Sequence, residues 1–350
     1  MPQLLPLPAQ PAGVPWPTQQ WPETSLASVA NAPRVNAAAE VVFRDPTPET
    51  YGETQALLVV QGGRLAFERY AAGKSPTETF VSWSMAKSIT HALVGVLVGD
   101  GKLALDAPAP LAEWRESKDP RSGITLEHML RMVDGLDFVE VYEEAGRSDV
   151  VEMLFRSGRE DVAAYARQRP SAHPPGSYWN YSSGTTNVVA AIVSSVLGGG
   201  REGMEAFMRR ALFDRIGMTS AKPRFDPAGT FIGSSYVFAT ARDFARFGLL
   251  YLRDGIWDGE RVLPEGWVDH GRTETPASFG QYGAHWWLAR DGTGIFSANG
   301  LNGQYTVVVP SRDLVLVRLG ISSPDQRVHV VHGLKEIVES FPLVGEAPQS

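Results

Sequence analysis

Ser84-Met85-Ala86-Lys87 combines a hydroxyl nucleophile with a basic side chain at a spacing that helical geometry converts into contact. A serine hydroxyl is a poor nucleophile at neutral pH and needs a neighbour to take its proton; a lysine three residues on in a helix lies one turn away on the same face. This is the one Ser-x-x-Lys in the chain. Residues 85–97 carry apolar side chains at helical spacing and run out at Gly99 and Gly101, so Ser84 is expected at or near a helix N-terminus. Backbone N–H groups and the helix dipole favour a developing oxyanion there. Lys87 stands inside an otherwise apolar helix, where burial would lower its pKa toward neutrality and make it usable as a base.

Two further elements carry groups of the right kind. A Pro-Gly turn at Pro175-Gly176 leads through an aromatic run to Tyr181-Ser182-Ser183-Gly184 and then a helical stretch over 185–197, which puts Tyr181 on the loop before that helix. A phenol has a reference pKa of about 10 and acts as a base only if a neighbouring ammonium stabilises the phenolate; Lys87 is the available candidate. Tyr178 and Trp179 read as core packing. The third element, Phe296 to Tyr305, precedes two β-rich runs joined at Pro310-Ser311-Arg312-Asp313, which read as a hairpin. Glycine on a strand edge lets a substrate backbone approach closely, and a free N–H near Gly300 or Leu301 could supply a second oxyanion donor.

With Ile124 to Leu130 and Thr240 to Gly248 between them, the three elements in this order resemble the serine β-lactamase-related hydrolases: class C β-lactamases, D-alanyl-D-alanine peptidases, family VIII esterases and 6-aminohexanoate-dimer hydrolase. The resemblance covers about residues 50 to 340, and its specificity lies in the set of motifs. It implies that Ser84 is the acylated nucleophile, Lys87 its activating partner and Tyr181 the general base and acid, with the backbone N–H groups of Ser84 and Leu301 forming the oxyanion hole. Two departures bear on substrate. Ala298-Asn299-Gly300 stands where β-lactamases and D-Ala-D-Ala peptidases carry Lys-Thr-Gly or His-Thr-Gly, so the cation that would meet a carboxylate is missing. Ser183 replaces the asparagine of the Tyr-x-Asn form, removing an amide that would hold the substrate and the lysine. Both departures point away from efficient β-lactam hydrolysis and toward an esterase or amidase.

The dimer-hydrolase branch resembles this chain most, through residues 181–187 and 299–305. It implies that Tyr142, between the first two motifs, meets the leaving amine. Tyr142, Ser183, Asn299, Gly300 and Gln304 are then the expected substrate contacts. Glu140, Glu143 and Glu144 could attract an ammonium-bearing substrate or form a solvated face.

Positioning these groups requires strands from both ends of the chain. Residues 55–60 and 65–70 flank Gln61-Gly62-Gly63-Arg64 as a hairpin just before Ser84, the C-terminal part returns to strands, and residues 328–338 close it as a helix. We therefore expect an α+β fold: an antiparallel sheet flanked by helices, β-lactamase/penicillin-binding-protein-like, with an inserted mostly helical lobe and the site between the two. The expected boundaries are an extended N-terminal arm over 1–50, the sheet domain over 51–104 and 231–350, and the helical lobe over 105–230. Trp83, Tyr178, Trp179, Tyr282, Trp286 and Trp287 are candidates to wall an apolar acyl pocket.

At 350 residues with 43% hydrophobic residues, the chain can bury one large core or two moderate ones. A net charge of −7 makes nucleic acid an unfitting partner, and no run is apolar enough to span a membrane. Zero cysteines exclude disulfides and a thiol nucleophile. The proline-rich start lacks the basic region and apolar core of a signal peptide and reads as an unprocessed, extended arm, while the lack of cysteines fits a cytoplasmic enzyme, which is the expectation. Gly198 to Gly203 fits Gly-x-Gly-x-x-Gly but follows a helical pattern, and no Gly-x-Ser-x-Gly elbow or His-Glu-x-x-His pair occurs. The reading is a serine hydrolase that forms an acyl-enzyme and cleaves small carboxylic esters or ω-amino amides such as 6-aminohexanoate oligomers. It needs no cofactor or metal, and its partner is the small-molecule substrate. The oligomeric state stays open, a homodimer included. Alternatives are a class C-type β-lactamase or D-Ala-D-Ala peptidase and, from another class, a non-catalytic ligand-binding relative.

Overall fold

The computed structural model describes residues 4–47, 49–116, 118–142 and 147–347. Helices α1 (Leu26–Val29) and α2 (Ala32–Val42) precede the hairpin of β1 (Glu53–Gln61) and β2 (Arg64–Tyr70), after which β3 (Phe80–Val81) leads into α3 (Met85–Gly99). A helical run follows: α4 (Leu126–Leu130), α5 (Asp149–Phe155), α6 (Val162–Arg167), α7 (Ser183–Leu197) and α8 (Gly200–Met208). The chain then forms β4 (Lys222–Pro223), β5 (Val237–Ala239), α9 (Ala241–Leu252), the small hairpin β6 (Ile256–Trp257) and β7 (Glu260–Arg261), and α10 (Trp267–Arg272). It closes with β8 (Trp287–Leu288), β9 (Phe296–Gly300), β10 (Gln304–Val309), β11 (Leu314–Ile321) and α11 (Pro324–Glu339).

Both ends of the chain meet in one antiparallel sheet, ordered β2-β1-β11-β10-β9-β8. The fold is α+β, an antiparallel sheet between helical layers. Strand periodicity sorts the two faces. Ala56, Leu58 and Val60 of β1 and Val315, Val317 and Leu319 of β11 join one core with α3, α7 and α9. Leu57, Val59, Leu314 and Leu316 face the other way, into a second core with α2 and α11. Because both faces are covered, the strands read as continuous apolar runs. Between Arg64 and Gln61, Gly62 and Gly63 both take positive φ (58° and 73°), the conformation that a two-residue hairpin turn demands.

Helix α3 is apolar on all sides and is buried almost throughout, as expected for a helix enclosed by other elements. Pairing of β3 with β5 fixes the chain just ahead of it. Residues 105–230 contain α4 to α8, and among the described residues of that range none joins the large sheet as a strand.

The stretch 1–50, expected as an extended arm, contains α1 and α2. Asn31 caps α2 by accepting a hydrogen bond from the Arg34 N–H, and Val35, Ala39 and Val42 bury one stripe of the helix in the outer core. The last proline before the helix interior is Pro33, within the first turn, where it is tolerated. Ahead of α1 the chain runs as a belt tied down by buried arginines. Arg246 donates to the Pro17 carbonyl at 2.6 Å, Arg253 donates to the Pro8 carbonyl at 3.1 Å, and Trp21 enters the inner core. Among the described residues, no helix is long and apolar enough to cross a membrane.

Candidate active site

Ser84 is the N-cap residue of α3, and its helix carries Lys87 one turn on. The residue before it, Trp83, has φ of 44°, a left-handed conformation that is uncommon for a bulky side chain and clusters at functional sites. Its ring packs on Tyr236 with centroids 5.5 Å apart. Lys87 is 1% exposed. Its Nζ lies 3.1 Å from Ser84 Oγ, 2.9 Å from Ser183 Oγ and 3.1 Å from the Ser234 carbonyl oxygen. Burial lowers its pKa to about 8, with the Glu140 carboxylate pulling the other way.

Ser183, the first residue of α7, takes over the task expected of the missing asparagine amide. It meets Lys87, donates from Oγ to Glu140 Oε1 at 2.6 Å and from its backbone N–H to Glu140 Oε2 at 2.8 Å. Ser183 is fully buried and does not face substrate space, which corrects its place among the substrate contacts. Glu140 is therefore committed to the start of α7 and to the Tyr142 hydroxyl, which donates to Oε1 at 3.1 Å. It connects to Lys87 through Ser183 and also lines the cleft, where a solvated face or a lure for substrate ammonium is the expectation from sequence. Glu143 and Glu144 lie outside the described residues.

Tyr181 is held in an aromatic box by Tyr282 (5.8 Å between centroids), Trp287 (5.2 Å) and Trp179 (6.5 Å). Burial first, then the Glu140 charge, pushes its phenol well above the ordinary tyrosine range, while a hydrogen bond with Ser84 works the other way. Lys87 Nζ lies over the ring face, 4.8 Å from the centroid. The ammonium thus does not sit on the phenolic oxygen as the expected phenolate partner, and Tyr181 rests as a neutral phenol.

A cleft of about 230 Å³ brings together Ser84, Tyr181, Glu140, Tyr142, Trp287, Asn299, Gly300, Leu301, Tyr305 and Arg327. The strand end carrying Gly300 lies tight against the serine turn: a Cβ at Gly300 would stand 2.3 Å from the Ser82 carbonyl oxygen. Gln304, expected to touch substrate, instead spends its buried amide on the backbone. It donates to the Leu301 carbonyl at 3.0 Å and the Gly320 carbonyl at 2.6 Å, and accepts from the Gly320 N–H at 3.0 Å. Arg318, fully buried, donates to the carbonyls of Asn302 (3.2 Å) and Gly303 (2.9 Å), and to those of Tyr51 and Glu53. Together they pin the 301–303 turn, in which Asn302 has φ of 61°. The Asn299 Oδ1 acceptor is buried and has no hydrogen-bond partner among the described residues.

Of the six aromatics expected to wall an acyl pocket, Trp287 lines the cleft, and Tyr178 and Trp179 line an adjoining hollow of about 670 Å³ that shares Glu140 and Tyr181 with it. Tyr282 backs Tyr181 from a fully buried position, and Trp286 is core, 4.4 Å from Tyr251 by ring centroids. Ala298 is also buried in the inner core and leaves the cleft without a cation at that position. Sequence reasoning missed Arg327, Glu140 as support for the lysine, and Arg318. Arg327 had a signal: Ser323-Pro324-x-Gln326 is a capping box that starts α11 and places Arg327 in its first turns. A serine beside a lowered-pKa lysine, a neutral phenol within hydrogen-bond reach and a pinned backbone turn opposite can support proton transfer and oxyanion binding in one cleft.

The profile of the family described as Beta-lactamase matches residues 52–330. The 6-aminohexanoate-dimer hydrolase of Paenarthrobacter ureafaciens is 28% identical over 310 residues, covering 81% of this chain and 76% of that protein. Among solved structures, a candidate 6-aminohexanoate-dimer hydrolase from Bacillus anthracis superposes with a TM-score of 0.75 at 22% identity, over 94% of this chain and 90% of the other. A class C β-lactamase from Rhodobacter sphaeroides gives 0.63 at 18% identity, over 87% and 98%.

Proposed function

Because the chain belongs to the β-lactamase family and is related to 6-aminohexanoate-dimer hydrolase, we propose that it is a serine hydrolase that forms an acyl-enzyme on Ser84 and cleaves small carboxylic esters or ω-amino amides, 6-aminohexanoate oligomers among them. The observation that carries this reading is the position of Lys87 Nζ, 3.1 Å from Ser84 Oγ in a buried setting that lowers its pKa to about 8. Lys87 takes the serine proton as Oγ attacks the carbonyl carbon, and the N–H groups of Ser84 and Leu301 hold the oxyanion. The neutral Tyr181 phenol protonates the leaving oxygen or nitrogen, and the proton taken up by Lys87 returns to the phenolate through a water molecule in the cleft. Water then adds to the acyl carbonyl, gives up a proton along the same route in reverse, and releases the acid and free Ser84. Asn299 Oδ1, buried without a hydrogen-bond partner among the described residues, supports a role in accepting a substrate N–H.

Incubation with a fluorophosphonate tests the nucleophile. A single adduct on the Ser84 peptide, lost in Ser84→Ala along with p-nitrophenyl butyrate hydrolysis, is the expected mass-spectrometric result; labelling elsewhere, or activity retained by Ser84→Ala, overturns it. For the amide branch, Tyr142→Phe should cost amide hydrolysis more than ester hydrolysis, because only an amine leaving group needs that hydrogen bond. A second reading, turnover of β-lactams or D-Ala-D-Ala peptides, is favoured by Arg327, a cation at the cleft that could meet a carboxylate. Nitrocefin hydrolysed with higher kcat/KM than short esters would establish it; slow or absent turnover is expected from the apolar Ala298.

A further inference from the structure

The catalytic cleft continues into a second, larger space. A trough of about 650 Å³ lies on the outer face of the sheet edge, between α11 and the strands β8 and β9. It shares Trp287, Asn299 and Tyr305 with the cleft that holds Ser84, so the two meet at these residues. The reason for the trough is topological. Helix α11 covers the outer face over β1, β11 and β10 through Val330, Leu334, Ile337 and Val338, while the outward residues of β9, Ser297 and Asn299, line the open trough at the sheet edge.

Aliphatic side chains from several elements line it: Leu288 of β8, Ile295 just before β9, Val307 of β10, and Val331 and Leu334 of α11. Leu5 of the N-terminal belt crosses it, packed against Gly294. Three of its large apolar side chains stay open to solvent, Val331 at 54%, Leu343 at 41% and Leu5 at 39%. Contiguous exposed apolar surface of this kind marks a binding surface, and here it opens onto a reacting serine. Four charged residues also line it, Asp291, Arg312, Lys335 and Glu339, the last two paired 3.7 Å apart.

We propose that this trough receives a straight aliphatic chain of the substrate, so that the enzyme selects esters or amides bearing medium-length to long alkyl chains over their short-chain counterparts. The proposal rests on the acyl-enzyme reading of Ser84 and specifies its substrate class. A chain leaving the cleft past Asn299 would lie between Val307 and Val331, covering the exposed valine and Leu5. Each methylene fully withdrawn from water is worth about fourfold in kcat/KM.

Two ester series test it: p-nitrophenyl acetate, butyrate, octanoate and decanoate, in which the acyl chain grows, and ethyl, butyl, octyl and decyl acetates, in which the alcohol grows. Expected is a rise of at least about tenfold from butyl to octyl length in one series, abolished by Val331→Trp, which fills the trough, and retained by Val331→Ala. Acetate hydrolysis should be the same in all three proteins, since Val331 does not line the catalytic cleft. A flat profile in both series, or a rise that Val331→Trp leaves intact, overturns the trough while Ser84-dependent acetate hydrolysis keeps the hydrolase reading standing. If no ester is hydrolysed, that reading fails, and calorimetric titration with decanamide decides the trough alone: binding lost in Val331→Trp supports it, and no binding to the unmodified protein overturns it.

Discussion

The Lys87 amine faces the π-surface of Tyr181 from 4.8 Å and leaves the phenolic oxygen unpaired with an ammonium. In the cleft the lysine is therefore the group whose proton affinity burial brings near neutrality, and the tyrosine is the group that burial keeps protonated. The division of labour between them sets what kinetics should read.

The pH profile follows from the sign of the Lys87 shift. A base must be deprotonated to work, so kcat/KM should rise with pH through about 8 and level off above it. Glu140 raises the lysine pKa, so Glu140→Gln should move the rising limb to lower pH. A limb that stays in place in Glu140→Gln, or lies well below neutrality in the unmodified protein, would show that another group is titrating.

Lys87→Ala and Tyr181→Phe should each lower kcat by orders of magnitude with smaller effects on KM. The two serve one proton circuit around Ser84, so the double mutant should be little worse than either single. Strictly additive losses would show that they act independently.

Gly300→Ala places a methyl group 2.3 Å from the Ser82 carbonyl oxygen. Strand β9 must then retreat from the serine turn, separating the Leu301 N–H from Ser84. Loss of one oxyanion donor costs about 10²–10³-fold in kcat, and this variant should approach that loss while its near-ultraviolet circular dichroism stays native. Unchanged kcat would place the second donor elsewhere.

Arg318→Met should act on both stability and rate. It removes a buried fork that serves carbonyls at Tyr51, Glu53, Asn302 and Gly303, leaving buried acceptors unmet at a cost of roughly 2–4 kcal/mol. Urea titration reads the first effect. The second is a lower kcat with KM little changed, since the freed 301–303 turn no longer presents Leu301. A stability loss with kcat intact would mean that Gln304 alone holds the turn.

What the sequence disclosed was local. Ser84 and Lys87 are three residues apart on one helix, the capping of α11 is written in four consecutive residues, and the central strands declare themselves as short apolar runs bounded by turn residues. The missed groups act across long separations. Glu140 meets Ser183 across a separation of 43 residues, a contact that only tertiary folding makes. Arg318 sits in an apolar strand as an isolated charge, and nothing nearby in sequence says that its acceptors are backbone oxygens near residues 52 and 302. Motif position points Gln304 and Ser183 toward substrate, because it cannot tell a side chain facing the cleft from one facing the backbone behind it. Helix α2 was overlooked because its stripe of Val35, Ala39 and Val42 is short and follows a run of prolines.

The left-handed backbone at Trp83 also makes the serine a reporter of the whole molecule's integrity. Holding a bulky residue there costs on the order of 1–3 kcal/mol, and the restraint comes from distant segments, the Tyr236 ring and the abutting Gly300 strand end. Once either loosens, the peptide can swing back to a relaxed conformation and carry Ser84 away from Lys87. Partly opened chains would thus be chemically silent, and reactivity toward a fluorophosphonate would fade ahead of the global melt.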